Sequence, residues 1–233
     1  METKPKSKRA TKYANAKPEG KAKQVNLTPM NDNQKLYISA VENHNQVLVL
    51  GPSGCGKTFI AATLFANWYA AKEIDKIIIT RPNVSVGKDL GFLPGTLEEK
   101  FTPWAMPVLE VLQEQLGKGV VETGIKNGNI EMAPLATMRG RSFKNAAIIL
   151  DEAQNLSVEE VKMFLSRIGE NCKVVLNGDI QQSDIKGTSG LSKVIHMAKK
   201  YNIDAVVVEF GLDDIVRSSV CKQWIEAFIG EGL

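Results

Sequence analysis

The sequence predicts an α/β protein, a parallel sheet with helices packed on both faces. Three observations predict it. Short apolar runs alternate with longer helical stretches from residue 28 onward, the pattern of repeated βα units. One run, 46–50, leads straight into the octet Gly51-Pro52-Ser53-Gly54-Cys55-Gly56-Lys57-Thr58. Another, 146–150, is followed at once by Asp151-Glu152.

In chain order, residues 33–43 read as the first helix. The strand 47–50 is apolar at every position, which suits a strand covered on both faces. A helix over 57–71 follows, with helical character through Phe59-Ile60-Ala61-Ala62-Thr63-Leu64, and then a second apolar strand over 76–80. From 83 to 141 the chain carries an insertion punctuated by Gly91, Pro94, Gly95, Pro103 and Pro107. Within it, Thr96-Leu97-Glu98-Glu99 reads as the cap of one helix and 106–116 as a second helix. The third strand is 146–150. The helix after it, 157–169, opens on a capping box, Ser157-Val158-Glu159-Glu160. Strands over 173–177 and 204–209 then alternate with helices over 188–200 and 214–229, which makes five strands in all. No internal repeat at solenoid periods interrupts the pattern.

The octet has the spacing G-x-x-x-x-G-K-[ST] between a strand and a helix, and that context gives it chemical meaning. Glycines let the backbone curl into a nest of N–H groups around a phosphate, with a helix N-terminus behind it. Lys57 can reach the β- and γ-phosphates of a nucleoside triphosphate, and the Thr58 hydroxyl can ligate Mg²⁺. The whole loop, Gly51 through Thr58, is therefore the expected nucleotide-binding element. Asp151, at the C-terminal end of its strand, suits a direct or water-mediated hold on the same Mg²⁺. Glu152, one residue on, is the expected general base for an attacking water. An N-cap role for this acidic pair is the bland alternative, but Ser157 already supplies the cap of the next helix.

Composition narrows the class further. The chain has 233 residues, 43% of them hydrophobic, enough for one core. No apolar run reaches the roughly 18–20 residues of a membrane span, and no signal-peptide core stands at the N-terminus. Cys55, Cys172 and Cys221 are isolated, which argues for a reducing cytoplasm and against a disulfide framework or zinc site. Charge is uneven. The net value is +3, yet residues 1–26 hold eight basic residues against Glu2 and Glu19, so the remainder is net negative. This tail has too few apolar residues to fold alone and suits contact with phosphate backbones. The expected organisation is a disordered basic tail over 1–26 and a single catalytic domain over 27–233. Trp68, Trp104 and Trp224 are expected in core packing rather than in base stacking.

Further stretches carry a family resemblance. They are Arg81-Pro82, Leu90-Gly91-Phe92-Leu93-Pro94-Gly95, Ala133-Pro134-Leu135, Met138-Arg139-Gly140-Arg141, Asp151-Glu152-Ala153-Gln154-Asn155, Lys162 through Gly169, and Gly178-Asp179-Ile180-Gln181-Gln182. With the two nucleotide motifs they resemble the PhoH-like ATPases, in the bare ATPase-domain form, from about residue 27 to 228. The resemblance implies a P-loop NTPase of RecA-like fold, similar to the first motor domain of superfamily-one helicases. It also implies that Gln34, after Leu27-Thr28-Pro29, grips adenine through an amide that donates and accepts at once. Gln182 resembles the γ-phosphate sensor, with Gln181 the competing position. Arg217, in Asp213-Asp214-Ile215-Val216-Arg217-Ser218, resembles the motif that supplies an arginine finger, here from a neighbouring subunit. Arg81, Arg139, Arg141 and Arg167 are the alternatives for that contact or for nucleic acid. Within these 233 residues no PIN nuclease or KH domain is expected.

The resulting expectation is a Mg²⁺-dependent ATPase acting on single-stranded nucleic acid, RNA favoured, as a homo-oligomer with a hexameric ring favoured. An RNA helicase or remodelling activity is the first reading, and a slowly hydrolysing regulator or scaffold is the second. A sugar or nucleotide kinase fits less well, because Asp151-Glu152 and Gln182 point to activating water rather than excluding it.

Overall fold

The computed structural model describes residues 26–82, 97–179, 182–184 and 189–231, with the side chains of 97–100 outside that description. Residues 1–25 of the basic tail, the Leu90–Gly95 stretch, the Thr96 cap and Gln181 lie outside the described residues. In chain order the elements are α1 (Asp32–Asn43), β1 (Gln46–Leu50), α2 (Lys57–Ala71), β2 (Lys76–Thr80), α3 (Leu97–Leu116), α4 (Lys118–Lys126), β3 (Ile130–Met132), β4 (Ala146–Leu150), α5 (Val158–Leu165), β5 (Lys173–Gly178), α6 (Gly190–Tyr201), β6 (Val206–Glu209) and α7 (Ser219–Gly230).

The six strands form one sheet in the order β3-β2-β4-β5-β1-β6, every described pair parallel. Side chains alternate across it. Val47, Val49, Ile77, Ile79, Ala147, Ile149 and Val175 join the core under α1, α2 and α3. Leu48, Leu50, Ile78, Ile148, Leu150, Val174 and Leu176 join the core under α5 and α6. Because both faces are covered, the strands read as continuous apolar runs. Ile60 through Ala66 of α2 are all buried, so this helix has no polar face over that stretch. Lys173 closes the C-terminus of α1, donating from Nζ to the carbonyls of Glu42 at 3.0 Å and His44 at 2.9 Å.

With β5 inserted between the strand that leads into the glycine loop and the strand that leads into Asp151, this is the parallel sheet of a RecA-like P-loop NTPase. All strands run the same way, so every loop at their C-terminal ends opens on one edge. Several expectations shift. There are six strands rather than five, because Ile130-Glu131-Met132 pairs with β2 at the sheet edge. The two helices expected in the insertion are one, α3, which runs through Pro103 and Pro107. Packing of Phe101, Ala105, Val108, Leu109 and Leu112 into the core outweighs the hydrogen bonds the prolines remove. α5 stops at Leu165 instead of 169, since the chain turns there so that Gly169 N–H can reach Phe143 O. α7 starts at Ser219 under a Ser218 cap, not at 214, because 212–214 form a 3-10 turn. Trp68 and Trp104 pack partly buried against the core. Trp224 does not: it is 62% exposed and stacks on Phe228 along the outer side of α7.

Candidate active site

Sequence-local geometry shapes the glycine loop first. Gly51, Gly54 and Gly56 all have positive φ, at 138°, 90° and 86°, where a side chain is strained. Gly51 also has no room for one, because a Cβ would lie 2.6 Å from that of Phe210. The loop wraps the N-terminus of α2 and opens into a cleft of about 640 Å³. From the loop and α2, the cleft is lined by Ser53, Gly54, Gly56, Lys57 and Thr58. Asp151, Glu152, Asn177, Asp179 and Gln182 enter from the ends of β4 and β5, Arg81 from the end of β2, and Arg217 from the segment before α7.

Lys57 folds back on its own loop, with Nζ donating to the carbonyls of Gly51 at 2.6 Å and Pro52 at 2.8 Å. Burial lowers its pKa from the usual lysine value, an effect partly opposed by Asp179, Asp151 and Glu152. Thr58 Oγ1 donates to Asp151 Oδ1 at 3.4 Å, so the hydroxyl and the carboxylate stand side by side. Burial raises the Asp151 pKa and the Glu152 charge adds to the rise, while Arg81 and Lys57 oppose it. Cys55 is buried, and burial pushes its thiol up to about 11.

Glu152 has φ of 55°, an unusual value for a residue with a side chain and one that tends to mark a functional position. Its carboxylate is held from two sides. Gln154 Nε2 donates to Oε2 at 2.6 Å, and Arg81 Nη2 lies 3.7 Å from Oε1. The Arg81 guanidinium in turn sits 5.1 Å over the ring of Trp104 on α3. Gln34, expected to grip adenine, is buried beside the loop, and its amide is engaged within the protein. Oε1 accepts from Met30 N–H at 2.8 Å and Nε2 donates to Cys55 O at 3.1 Å. One N–H and one lone pair of that amide remain available.

Arg217 is the arginine expected to complete a neighbouring subunit's site. Its side chain lies in the cleft of its own chain, so close that a Cβ on Gly54 would come within 2.7 Å of its Cγ. Val216 N–H donates to Gly54 O at 3.1 Å and fixes that approach. Arg141 is one of the alternatives for that contact or for nucleic acid. Outside the cleft, both its terminal nitrogens bond the Glu131 carboxylate, and its guanidinium sits 5.0 Å over Phe143. Arg139 is exposed and Arg167 half-buried, and neither lines the cleft.

Three residues escaped the sequence reading. Gln154 appears there only as part of a motif. Asn177 is a buried polar residue at the end of an apolar strand, a signal visible in the sequence, and its Nδ2 has no described partner. Tyr37, on α1, donates from its hydroxyl to Lys57 O at 3.1 Å and also stands 3.5 Å from Asn177 Oδ1. An unmatched buried amide hydrogen costs about 1–3 kcal/mol, which a bound ligand or water would relieve.

Comparison with known proteins gives the family. The family model described as PhoH-like protein matches residues 26–229. This chain belongs to the PhoH family. Protein PhoH of Escherichia coli strain K12 is 43% identical over 204 residues, which cover 85% of this chain and 57% of that protein. The PhoH-like protein of Bacillus subtilis strain 168 is 40% identical over 211 residues, 89% of this chain and 65% of the relative. That of Mycobacterium leprae is 39% identical over 204 residues, 87% and 58%. The chain thus spans 57–65% of the length of these relatives. Among solved structures, Pif1 helicase from Candida albicans superposes with a TM-score of 0.45 at 13% identity, over 88% of this chain and 44% of that one. Membership of the PhoH family and the glycine loop at the end of β1 agree on a P-loop fold. No helix among the described residues is long and apolar enough to cross a membrane.

Proposed function

We propose that this PhoH-family chain is a Mg²⁺-dependent ATPase that spends ATP on remodelling nucleic acid. Single-stranded RNA is the favoured partner and duplex unwinding the favoured activity. The observation that carries the reading is the convergence of Lys57, Thr58, Asp151 and Glu152 in one cleft at the C-terminal edge of the sheet.

Thr58 and Asp151 fit Mg²⁺. A hydroxyl and a carboxylate standing 3.4 Å apart are the hard oxygen donors this ion takes, and they would hold it directly or through water. The ion, when bound, screens the charge of the β- and γ-phosphate oxygens. Lys57 exchanges the carbonyls of Gly51 and Pro52 for those phosphates, and the backbone N–H groups of Gly54 and Gly56 cradle them. Glu152 accepts the proton of the attacking water, with Gln182 and the unmatched Asn177 amide on the same side of the cleft. Gln34 borders the loop where the adenine edge is expected, offering its remaining N–H and lone pair. Arg217, beside its own loop, supplies positive charge toward the terminal phosphate.

The basic tail over 1–26 supports nucleic-acid contact, and the isolated cysteines support a cytoplasmic setting. Residues 27–233 act as a single ATPase domain. The uncovered Val220, Trp224 and Phe228 of α7 support self-association, with a closed hexameric ring favoured. A second reading, a nucleotide-dependent regulator with slow turnover, is favoured by how firmly Lys57 and Glu152 are tied inside the protein. ATPase rate with and without single-stranded RNA separates the two. Stimulation supports the motor, whereas a slow rate indifferent to RNA supports the regulator.

A further inference from the structure

Two loops leave the sheet next to each other, one after β4 and one after β5, and four hydrogen bonds stitch them together. Gln154 Oε1 accepts from Asp179 N–H at 3.1 Å, and Ser183 Oγ donates to Gln154 O at 3.1 Å. Asn155 Oδ1 accepts from Asp184 N–H at 2.9 Å, and Asn155 Nδ2 donates to Asp184 Oδ2 at 3.3 Å. The first loop carries Glu152. The second carries Gln182, whose own N–H bonds Asp179 O at 3.0 Å.

Gln154, within this seam, also touches the proposed base. It is 2% exposed, donates to Glu152 Oε2 at 2.6 Å with one end of its amide and accepts from Asp179 N–H with the other. Only a side chain with both a donor and an acceptor can do this: an ionised glutamate lacks the donor, and methionine lacks a donor and offers only a weak sulfur acceptor. The backbone makes room for it. A Cβ at Gly178 would lie 3.1 Å from both Gln154 Oε1 and Gln154 N, and 2.4 Å from Leu191 Cδ2. We propose that Gln154 is a positioning residue that ties the Glu152 carboxylate to the loop carrying Gln182, so that the base and the phosphate-facing loop hold one joint geometry. This rests on the ATPase reading above. It adds a residue that acts through Glu152 and touches no reacting atom itself.

A buried glutamine that merely satisfies its neighbours would look the same in the fold, so the test must read more than stability. The experiment is a double-mutant cycle between Gln154→Glu and Glu152→Gln, in single-turnover ATP hydrolysis with enzyme in excess, with the affinity for a fluorescent ATP analogue measured in parallel. Gln154→Glu keeps the size and the acceptor for Asp179 N–H but removes the donor to Glu152. The expected result is a loss of at least ~10-fold in the hydrolysis rate, the scale of a mispositioned catalytic group, with KM and analogue affinity changed by less than a few-fold. In the Glu152→Gln background the same change should lower the residual rate by less than about twofold, because a residue that acts through Glu152 has nothing left to act on. Gln154→Met, which leaves an apolar side chain of similar size, should show the same non-additivity and guards against an effect peculiar to the new charge. Equal fold losses in both backgrounds, or a loss confined to KM and affinity, overturn the proposal. If wild-type protein shows no ATP turnover, the ATPase reading falls first and this proposal with it.

Discussion

The Lys57 ammonium donates to the carbonyl of Gly51 at 2.6 Å, so the lysine proposed to hold phosphate occupies itself with the loop that carries it. A phosphate must compete with two carbonyl oxygens for that charge. The competition favours phosphate, because a bond between two full charges is roughly twice as strong as one to a neutral carbonyl.

Lys57→Ala is expected to abolish ATP hydrolysis and weaken ATP binding, since the positive charge at the β- and γ-phosphates is lost. Glu152→Gln should keep ATP affinity while cutting hydrolysis to a slow residual rate, measurable in single turnover. Paired binding and hydrolysis assays check this, and normal hydrolysis by the glutamine variant would remove Glu152 from the mechanism.

Arg217 lies over its own Gly54, so Arg217→Ala should lower hydrolysis by ~10³-fold, the scale of a phosphate-contacting arginine, with ATP binding nearly intact. Mixing that variant with Lys57→Ala should leave the mixture inactive, because each intact arginine then shares a chain with a broken loop. Recovery of turnover on mixing would show that the arginine serves a neighbour.

The first two predictions stand on residues the sequence already exposes, and the reason is local. The octet, the strand runs and the Ser157 capping box are encoded within a few consecutive positions, so the core order of βα units could be read directly. Arg217 was legible as a residue but not as a placement: what sets it is a contact with Gly54, far away in the chain, made possible by the glycine's missing side chain. β3 and α4 were missed because Ile130-Glu131-Met132 is too short for an alternation signal and Gly119 and Gly124 interrupt the helix. α3 defied its prolines because burial of its apolar face outweighs local propensity.

Asp151 carries a raised pKa, so its contribution to nucleotide-free stability is fully present below the unfolded value and is lost as pH rises through the folded one. At neutral pH the buried charge is a cost. Asp151→Asn should therefore melt at a higher temperature than wild type at pH 7 without nucleotide, and the gap should close as the buffer is taken into the acid range. Thermal unfolding at a series of pH values measures it, and a gap that stays constant would contradict the burial account.

Cys55, pushed up to about 11, should resist alkylation at pH 8, where only about one thiol in a thousand is ionised. Its rate should climb about tenfold per pH unit toward that value. Mass spectrometry of iodoacetamide-treated protein resolves it from the more accessible Cys221. Rapid labelling of Cys55 at pH 7 would contradict the burial account.

The sheet order also bears on how the chain is made. β1 emerges early in synthesis, yet its two neighbours, β5 and β6, are among the last segments to leave the ribosome. The loop that follows β1 leans on Gly178 through Gly51 N–H, and its carbonyl at Gly54 waits for Val216. Affinity for nucleotide is therefore a property of the finished polypeptide, and a nascent chain halted before residue 206 would carry the whole glycine motif with no formed cradle around it.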